Sequence, residues 1–266
     1  MENKVVVITG ASSGIGAALA EKLGGAGHSV VLAARSEDKL REIAEKIGEN
    51  ALAVKTDVTV KSDMENLKNR ALEKFGRIDV WINNAGRGVG KTWTAIPEED
   101  VDEIFDINFK SAYYGVQAVI PYFMKQKKGH LINVSSFLGK VPFAPFRSAY
   151  NAAKSAVNSM TSNLRIELKV KCPEIKITTI LPGPVSTDFH KNALGGTPPF
   201  AGPGSTPVKF QTPEEVADVI IEAMRNPKAE VFTQPEQIEQ VLQYMGNVEA
   251  FEEHIAGIIK SGMGKG

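Results

Sequence analysis

The sequence predicts an α/β protein, a doubly wound parallel sheet with helices on both faces. Three observations carry this. Short apolar runs rich in β-branched residues recur between longer amphipathic stretches, from the start of the chain to about residue 232. The runs show little polar alternation, as strands do when both faces are covered. The helical stretches have readable ends, so strand and helix alternate, which implies parallel strands joined by right-handed crossovers.

The first run, residues 5–8, leads into Thr9-Gly10-Ala11-Ser12-Ser13-Gly14-Ile15-Gly16, and a helical stretch over 17–23 follows. Further runs lie at 29–33, 51–55, 78–82, 130–134, 176–181 and 229–232. Ser36 before Glu37 and Asp38 reads as an N-cap with an acidic first turn, and Ser62-Asp63-Met64-Glu65 reads as a capping box. Pro97-Glu98-Glu99 and Pro213-Glu214-Glu215 read as helix starts with proline at the first position. A long helix is expected over 101–125. Residues 195–212 are too rich in glycine and proline for regular structure, and a loop of that length inside a domain is usually functional or disordered. From Pro235 to about residue 260 the chain reads as one more helix, with 261–266 as a frayed tail. His28 and His130, at strand starts, read as surface residues. Residues 1–266 therefore read as a single domain.

Composition narrows the function classes. The chain has 266 residues, and its 31 basic and 31 acidic side chains give zero formal net charge. That argues against a nucleic-acid binder and against a polybasic membrane-surface protein. Lys4 is followed by only four apolar residues before Thr9-Gly10, so no signal-peptide core is expected. No run approaches the roughly 18 apolar residues of a membrane span. The lone Cys172 has no partner for an intrachain disulfide. Together these point to a cytoplasmic protein without nucleic-acid or membrane partners. No His/Cys/Asp/Glu spacing resembles a zinc site, so no metal is expected.

The glycines after the first strand carry the first chemistry. At a strand-to-helix turn they let the backbone approach a pyrophosphate, whose charge then rests on helix N–H dipoles. Gly10, Gly14 and Gly16 follow a T-G-x-x-x-G-x-G spacing, not G-x-G-x-x-G. A plain tight turn would use the same residues, but this position in the chain points to dinucleotide binding.

That spacing resembles the short-chain dehydrogenase/reductase family, and further segments agree in order along the chain. They are Asn83-Asn84-Ala85-Gly86, Asn108, Ser136 with Tyr150-Asn151-Ala152-Ala153-Lys154, and Pro182-Gly183-Pro184-Val185-Ser186-Thr187. The resemblance spans about residues 4–232. It implies a Rossmann-like, seven-stranded parallel sheet with three helices on each face. It also implies that Ser12, Ser13, Gly14 and Ile15 meet the cofactor, that Asp57 and Val58 contact its adenine, and that Asn84, Ala85 and Gly86 line its floor. Pro182, Gly183, Val185 and Thr187 would position the nicotinamide, and Asp57 could equally be a simple turn residue.

Where NAD-preferring relatives carry an acid after the second strand, this chain has Ala34, followed by Arg35 and Ser36. A guanidinium can pair bidentately with a 2′-phosphate, which a carboxylate would repel. The expected cofactor is NADP(H). Glu37 could still reach a ribose, which leaves NAD as the alternative, and Arg35 could be only a solvated charge.

Tyr150 and Lys154 stand four apart, on one face of a helix. A nearby ammonium, helped by the positive charge of oxidised nicotinamide, is expected to lower the phenol from its ordinary value near 10, making Tyr150 the general acid in reduction and the base in oxidation. Ser136 would hold the substrate oxygen, with Ser135 the adjacent alternative. By resemblance, Lys154 also bonds the nicotinamide ribose and Asn108 holds a water that relays protons. Ser136 and Tyr150 stand one residue further apart than is common in the family, and the extra residue lies within 140–148. Substrate contacts are expected from Val89, Trp93, Leu138, Val141, Phe143, Phe189, His190 and Phe200, a largely apolar set suited to a small apolar carbonyl or alcohol. The segment 188–212 is expected to close over it. The resemblance implies a homodimer or homotetramer built on two long helices, 98–125 and 149–170. A non-catalytic dinucleotide sensor would need only the glycine loop, whereas this chain keeps Asn108, Ser136, Tyr150 and Lys154.

Overall fold

The computed structural model describes residues 3–196 and 209–263. Seven strands form one parallel sheet in the order β3-β2-β1-β4-β5-β6-β7. They are β1 (Val5–Thr9), β2 (Ser29–Ala34), β3 (Ala51–Lys55), β4 (Val80–Asn83), β5 (Gly129–Val134), β6 (Ile175–Leu181) and β7 (Glu230–Phe232). Every residue of β1 and β2 is buried, which is why these runs lack alternation.

Each face is covered by three helices. Leu19 and Leu23 of α1 (Gly14–Gly25), Leu40 of α2 (Glu37–Ile47) and Ile220 of α7 (Pro213–Arg225) pack with Val6, Ile8 and Val30 on one face. Met64 and Leu67 of α3 (Lys61–Phe75), Phe123 of α5 (Ser111–Gln126) and Leu168 of α6 (Ser148–Lys171) pack with Val7, Trp81 and Leu131 on the other. The chain order reverses between β1 and β4, and the crevice at such a switch point is where α/β sheets bind ligands.

Four expectations need correction. The Ser62–Glu65 capping box does not form. Instead α3 starts at Lys61 after Val60, and the Asp63 carboxylate accepts the Asp57 backbone N–H at 2.9 Å. A reciprocal capping box exists instead at Thr212 and Glu215, just ahead of Pro213. Ser36 holds the N-cap position of α2 but makes no side-chain cap. The expected helix over 101–125 is α4 (Glu98–Phe105), a π turn (Asp106–Lys110) and then α5. The single C-terminal helix is two, α8 (Glu236–Gly246) and α9 (Val248–Met263). The break falls at Asn247, whose side-chain oxygen accepts the Ala250 N–H and so caps α9.

Both strand-start histidines are buried rather than on the surface. His28 Nδ1 accepts the Lys4 N–H, and His130 Nε2 lies 2.8 Å from Thr178 Oγ1. That hydroxyl spends its proton on the Lys228 carbonyl, so His130 Nε2 is the donor. Of the expected loop 188–212, residues 197–208, Phe200 among them, lie outside the described residues, as do residues 264–266 of the expected tail.

Candidate active site

A cavity of about 1810 Å³ runs along the carboxyl ends of the strands. It exceeds the ~300–1,000 Å³ usual for one small-ligand site, so a dinucleotide and a second molecule both fit. Gly10, Ser12, Ser13, Gly14 and Ile15 line it. Gly10 and Gly14 have φ of +67° and +54°, a region L side chains avoid. A Cβ on Gly10 would lie 2.8 Å from Ala85 Cα, and one on Gly16 would lie 2.3 Å from the Gly10 carbonyl oxygen. Gly16 does not line the cavity; it lets α1 seat against the loop. Asn84 braces the same turn by donating to the Thr9 and Gly10 carbonyls at 3.0 and 3.3 Å. These residues form a cradle that suits a pyrophosphate.

Beyond β2 and β3 the cleft is lined by Arg35, Ser36, Asp57 and Val58, and by Lys39, which the sequence reading missed. Its signal was available, since Lys39 stands four residues after Arg35. Arg35 is exposed and enters no ion pair among the described residues. Glu37, the acid that kept NAD open, is held by Arg41 at 2.5 Å and does not line the cleft. Asp57 serves both readings: it lines the cavity, and its carboxylate accepts the Thr59 N–H and hydroxyl. Those hydrogen bonds hold it below the usual carboxylate range.

At the other end Ser136, Tyr150 and Lys154 converge on the cavity, and all three are buried. Ser135 is committed elsewhere, donating its hydroxyl to the Lys154 carbonyl at 3.1 Å, which leaves Ser136 to face the phenol. Lys154 Nζ lies 5.7 Å from the Tyr150 ring centroid and donates to the Val134 carbonyl at 3.0 Å. Burial lowers its pKa to about 8. The protein's own groups shift Tyr150 in the opposite direction to the expected depression. Burial pushes the phenol up, opposed by the Ser136 hydrogen bond and by the positive charge of Arg147.

Asn108 sits in the π turn, 1% exposed. Its amide donates to the Arg87 and Ile104 carbonyls at 2.9 and 3.0 Å and accepts the Arg87 N–H. A Cβ on Gly86 would lie 2.9 Å from Asn108 Oδ1 and 3.6 Å from Lys154 Nζ, so Gly86 is the small residue that lets both side chains approach. π turns of this kind concentrate at functional sites.

Pro182, Gly183, Val185 and Thr187 line the cavity after β6. Among expected substrate contacts, Leu138, Phe143, Phe189 and His190 line it, and Phe189 packs edge-on against Tyr150 at 5.6 Å between centroids. Three do not. Trp93 is 57% exposed and outside the cavity, while Val89 and Val141 are wholly buried behind its wall. Val89 faces Leu194 across an isolated bridge, so backbone pairing there turns its side chain inward. The sequence reading also missed Arg147 and one face of α9, where Phe251, Ile255, Ile258 and Ile259 line the cleft. The heptad-like spacing of these apolar residues was the available signal.

The short chain dehydrogenase family profile matches residues 4–195. The chain belongs to that family. This short-chain dehydrogenase is 36% identical over 227 residues to an uncharacterised oxidoreductase of Staphylococcus epidermidis, covering 85% of this chain and 93% of that one. A short-chain dehydrogenase/reductase from Burkholderia phymatum, in complex with NAD, superposes with TM-score 0.83 at 28% identity, over 93% of this chain and 95% of that one. An alcohol dehydrogenase from Thermococcus sibiricus, complexed with 5-hydroxy-NADP, superposes with TM-score 0.74 at 27% identity, over 87% and 96% of the two chains. This short-chain dehydrogenase is thus an oxidoreductase of that type on a seven-stranded Rossmann-like sheet. No described helix is long and apolar enough to cross a membrane.

Proposed function

We propose that this oxidoreductase interconverts a carbonyl and an alcohol with NADP(H), using Tyr150 as general acid and base. The observation that carries the reading is the convergence of Ser136, Tyr150 and Lys154 on the cavity that the glycine loop also lines. When bound, the nicotinamide supplies or accepts the hydride. The chain's own groups do the rest. Ser136 Oγ holds the carbonyl oxygen, and the Tyr150 hydroxyl donates its proton as the alkoxide develops. Lys154, anchored on the Val134 carbonyl, offers its remaining protons to the nicotinamide ribose. Asn108 fixes the Arg87 backbone beside Gly86 and so shapes the floor next to Lys154.

Arg35 and Lys39, at the rim beyond β2, support NADP(H), because the two cations would pair with a 2′-phosphate and no acid ends β2. The second reading, NAD, is favoured by the Burkholderia phymatum relative solved with NAD. Calorimetric titration with NADPH and NADH separates them. NADPH should bind at least about tenfold more tightly, about 1.4 kcal/mol, and Arg35→Ala should erase that margin while leaving NADH affinity in place. Equal losses for both cofactors would overturn the assignment. The substrate is an apolar carbonyl or alcohol, its body set among Leu138, Phe143, Phe189 and the α9 face.

A further inference from the structure

Behind the turn that follows β6 lies a cluster of buried amides. Pro182 ties this turn to the end of β5, its carbonyl accepting the Phe137 N–H at 2.9 Å, one residue beyond Ser136. The Gly183 N–H donates to Thr233 Oγ1 at 3.3 Å, and that hydroxyl donates to Gln211 Oε1. Gln211 also brackets the turn with its backbone. Its N–H donates to the Pro184 carbonyl at 3.0 Å, and its carbonyl accepts the Ser186 N–H at 2.8 Å. At the entrance to α8, Gln234 donates to the Lys209 carbonyl at 3.0 Å, and Gln237 Oε1 accepts the Gln234 N–H at 3.1 Å. A Cβ on Gly183 would lie 2.3 Å from Gln234 Oε1 and 2.8 Å from Gln237 Nε2, so both amides abut that glycine.

We propose that Gln234 and Gln237 are positioning residues for the reaction: from the start of α8 they wedge the Gly183 turn into the place that seats the nicotinamide. Gly183, Pro184 and Val185 line the cavity, and neither glutamine does. The glutamines therefore act through the turn. Glutamine is mostly a surface residue, and burying its amide is unfavourable unless each polar atom is hydrogen-bonded. Yet Gln237 is 2% exposed, and its Nε2 meets no acceptor among the described residues. Apolar side chains would dock α8 on the sheet with no amide to bury. What the two amides supply is placement. Gln237 fixes the Gln234 backbone, and Gln234 fixes the chain at Lys209, so neither can withdraw from Gly183 alone. The Phe137 N–H hangs on the same turn, so its placement also bears on Ser136. Gln240 and Gln243, further along α8, line the cavity, so the helix that carries the wedge also borders the site.

The inference rests on the reading that this turn seats the nicotinamide, and its test separates the two. NADPH or NADH, whichever binds more tightly, is titrated calorimetrically into the full chain. The same molecule without its nicotinamide, 2′-phospho-ADP-ribose or ADP-ribose, is titrated beside it. The ratio of the two affinities isolates the turn from the glycine loop and Arg35. Gly183→Ala tests the reading: it should weaken the cofactor about tenfold and leave the fragment within about twofold. Gln237→Met, which keeps the length and loses the amide, should weaken the cofactor about fivefold or more and again spare the fragment. A loss shared equally by cofactor and fragment would mark a merely structural role and overturn the proposal. So would an unchanged ratio in Gln237→Met beside a lowered one in Gly183→Ala, a result that leaves the reading of the turn intact. An unchanged ratio in both variants would overturn the two together. Should Gln237→Met fail to fold, Gln234→Met is judged by the same ratio, with the same result expected.

Discussion

The two halves of the cleft are built by different means. The half that suits the dinucleotide is made of strand ends and backbone. Its glycines leave no room for a Cβ, and Asn84 ties β4 to the β1 turn. The half beyond Tyr150 is made of side chains on 188–196, α8 and α9. The chain leading into α8 is tied to the chain leading into α7 by polar contacts, Gln234 donating to the Lys209 carbonyl and Gln211 donating to the Thr233 carbonyl. Geometry that depends on backbone fit tolerates almost no change, whereas a side-chain wall can be remodelled one residue at a time.

If the comparison holds, a small change in the first half should outweigh a large one in the second. Gly16→Ala drives a methyl to within 2.3 Å of the Gly10 carbonyl oxygen. Overpacking of this kind costs about 1–3 kcal/mol, and here it should also weaken dinucleotide binding at least about tenfold. Thermal unfolding with calorimetric titration measures both. A Gly16→Ala protein of parental stability and affinity would break the comparison.

The sheet half should also set the acid limit of the fold. His130 is buried neutral, with its pKa brought from 6.5 down to about 3. A group depressed in the folded state contributes its stability above the unfolded value, and that stability is lost as pH falls toward the folded value. Between pH 6.5 and about pH 5 the loss should be about 1.6 kcal/mol. His130→Gln, whose amide can still donate to Thr178, should lose less over that interval in denaturant titrations. Parallel pH curves for parent and variant would remove His130 from the account.

The smallest effect is expected in the side-chain half. Ile255→Asp places a charge on the α9 wall of the cavity. With a series of straight-chain 2-ketones, kcat/KM should fall about tenfold for long members and stay within about twofold for short ones. A uniform fall across the series would mean that α9 does not meet the substrate.

The sequence made the first half legible and the second half only in part. Residues 5–8 and 30–34 are apolar throughout because both faces of those strands are covered, so their lack of alternation announced the sheet. The Gly10–Gly16 turn was readable because only glycine satisfies its backbone. Leu138 and Phe143 lie within seven residues of Ser136 and line the cavity, whereas Val141 between them turns into the core. Arg147 was overlooked because nothing local marks a cation as buried. Its guanidinium is met by Val89 and His190, residues 58 and 43 positions away. Val89 was misplaced for the same reason, since the Val89–Leu194 bridge is invisible to local pattern. The α8–α9 break was readable in Gly246-Asn247, a helix stop followed by a helix cap, but the long apolar period masked it.

The most direct test of the central claim is Tyr150→Phe, assayed for NADPH-dependent reduction across a panel of apolar ketones and aldehydes and, separately, for NADPH binding. The account predicts turnover in the parent, a loss of about 10²-fold or more in the variant, and unchanged cofactor affinity. A Tyr150→Phe protein that still turns over at the parental rate would contradict it.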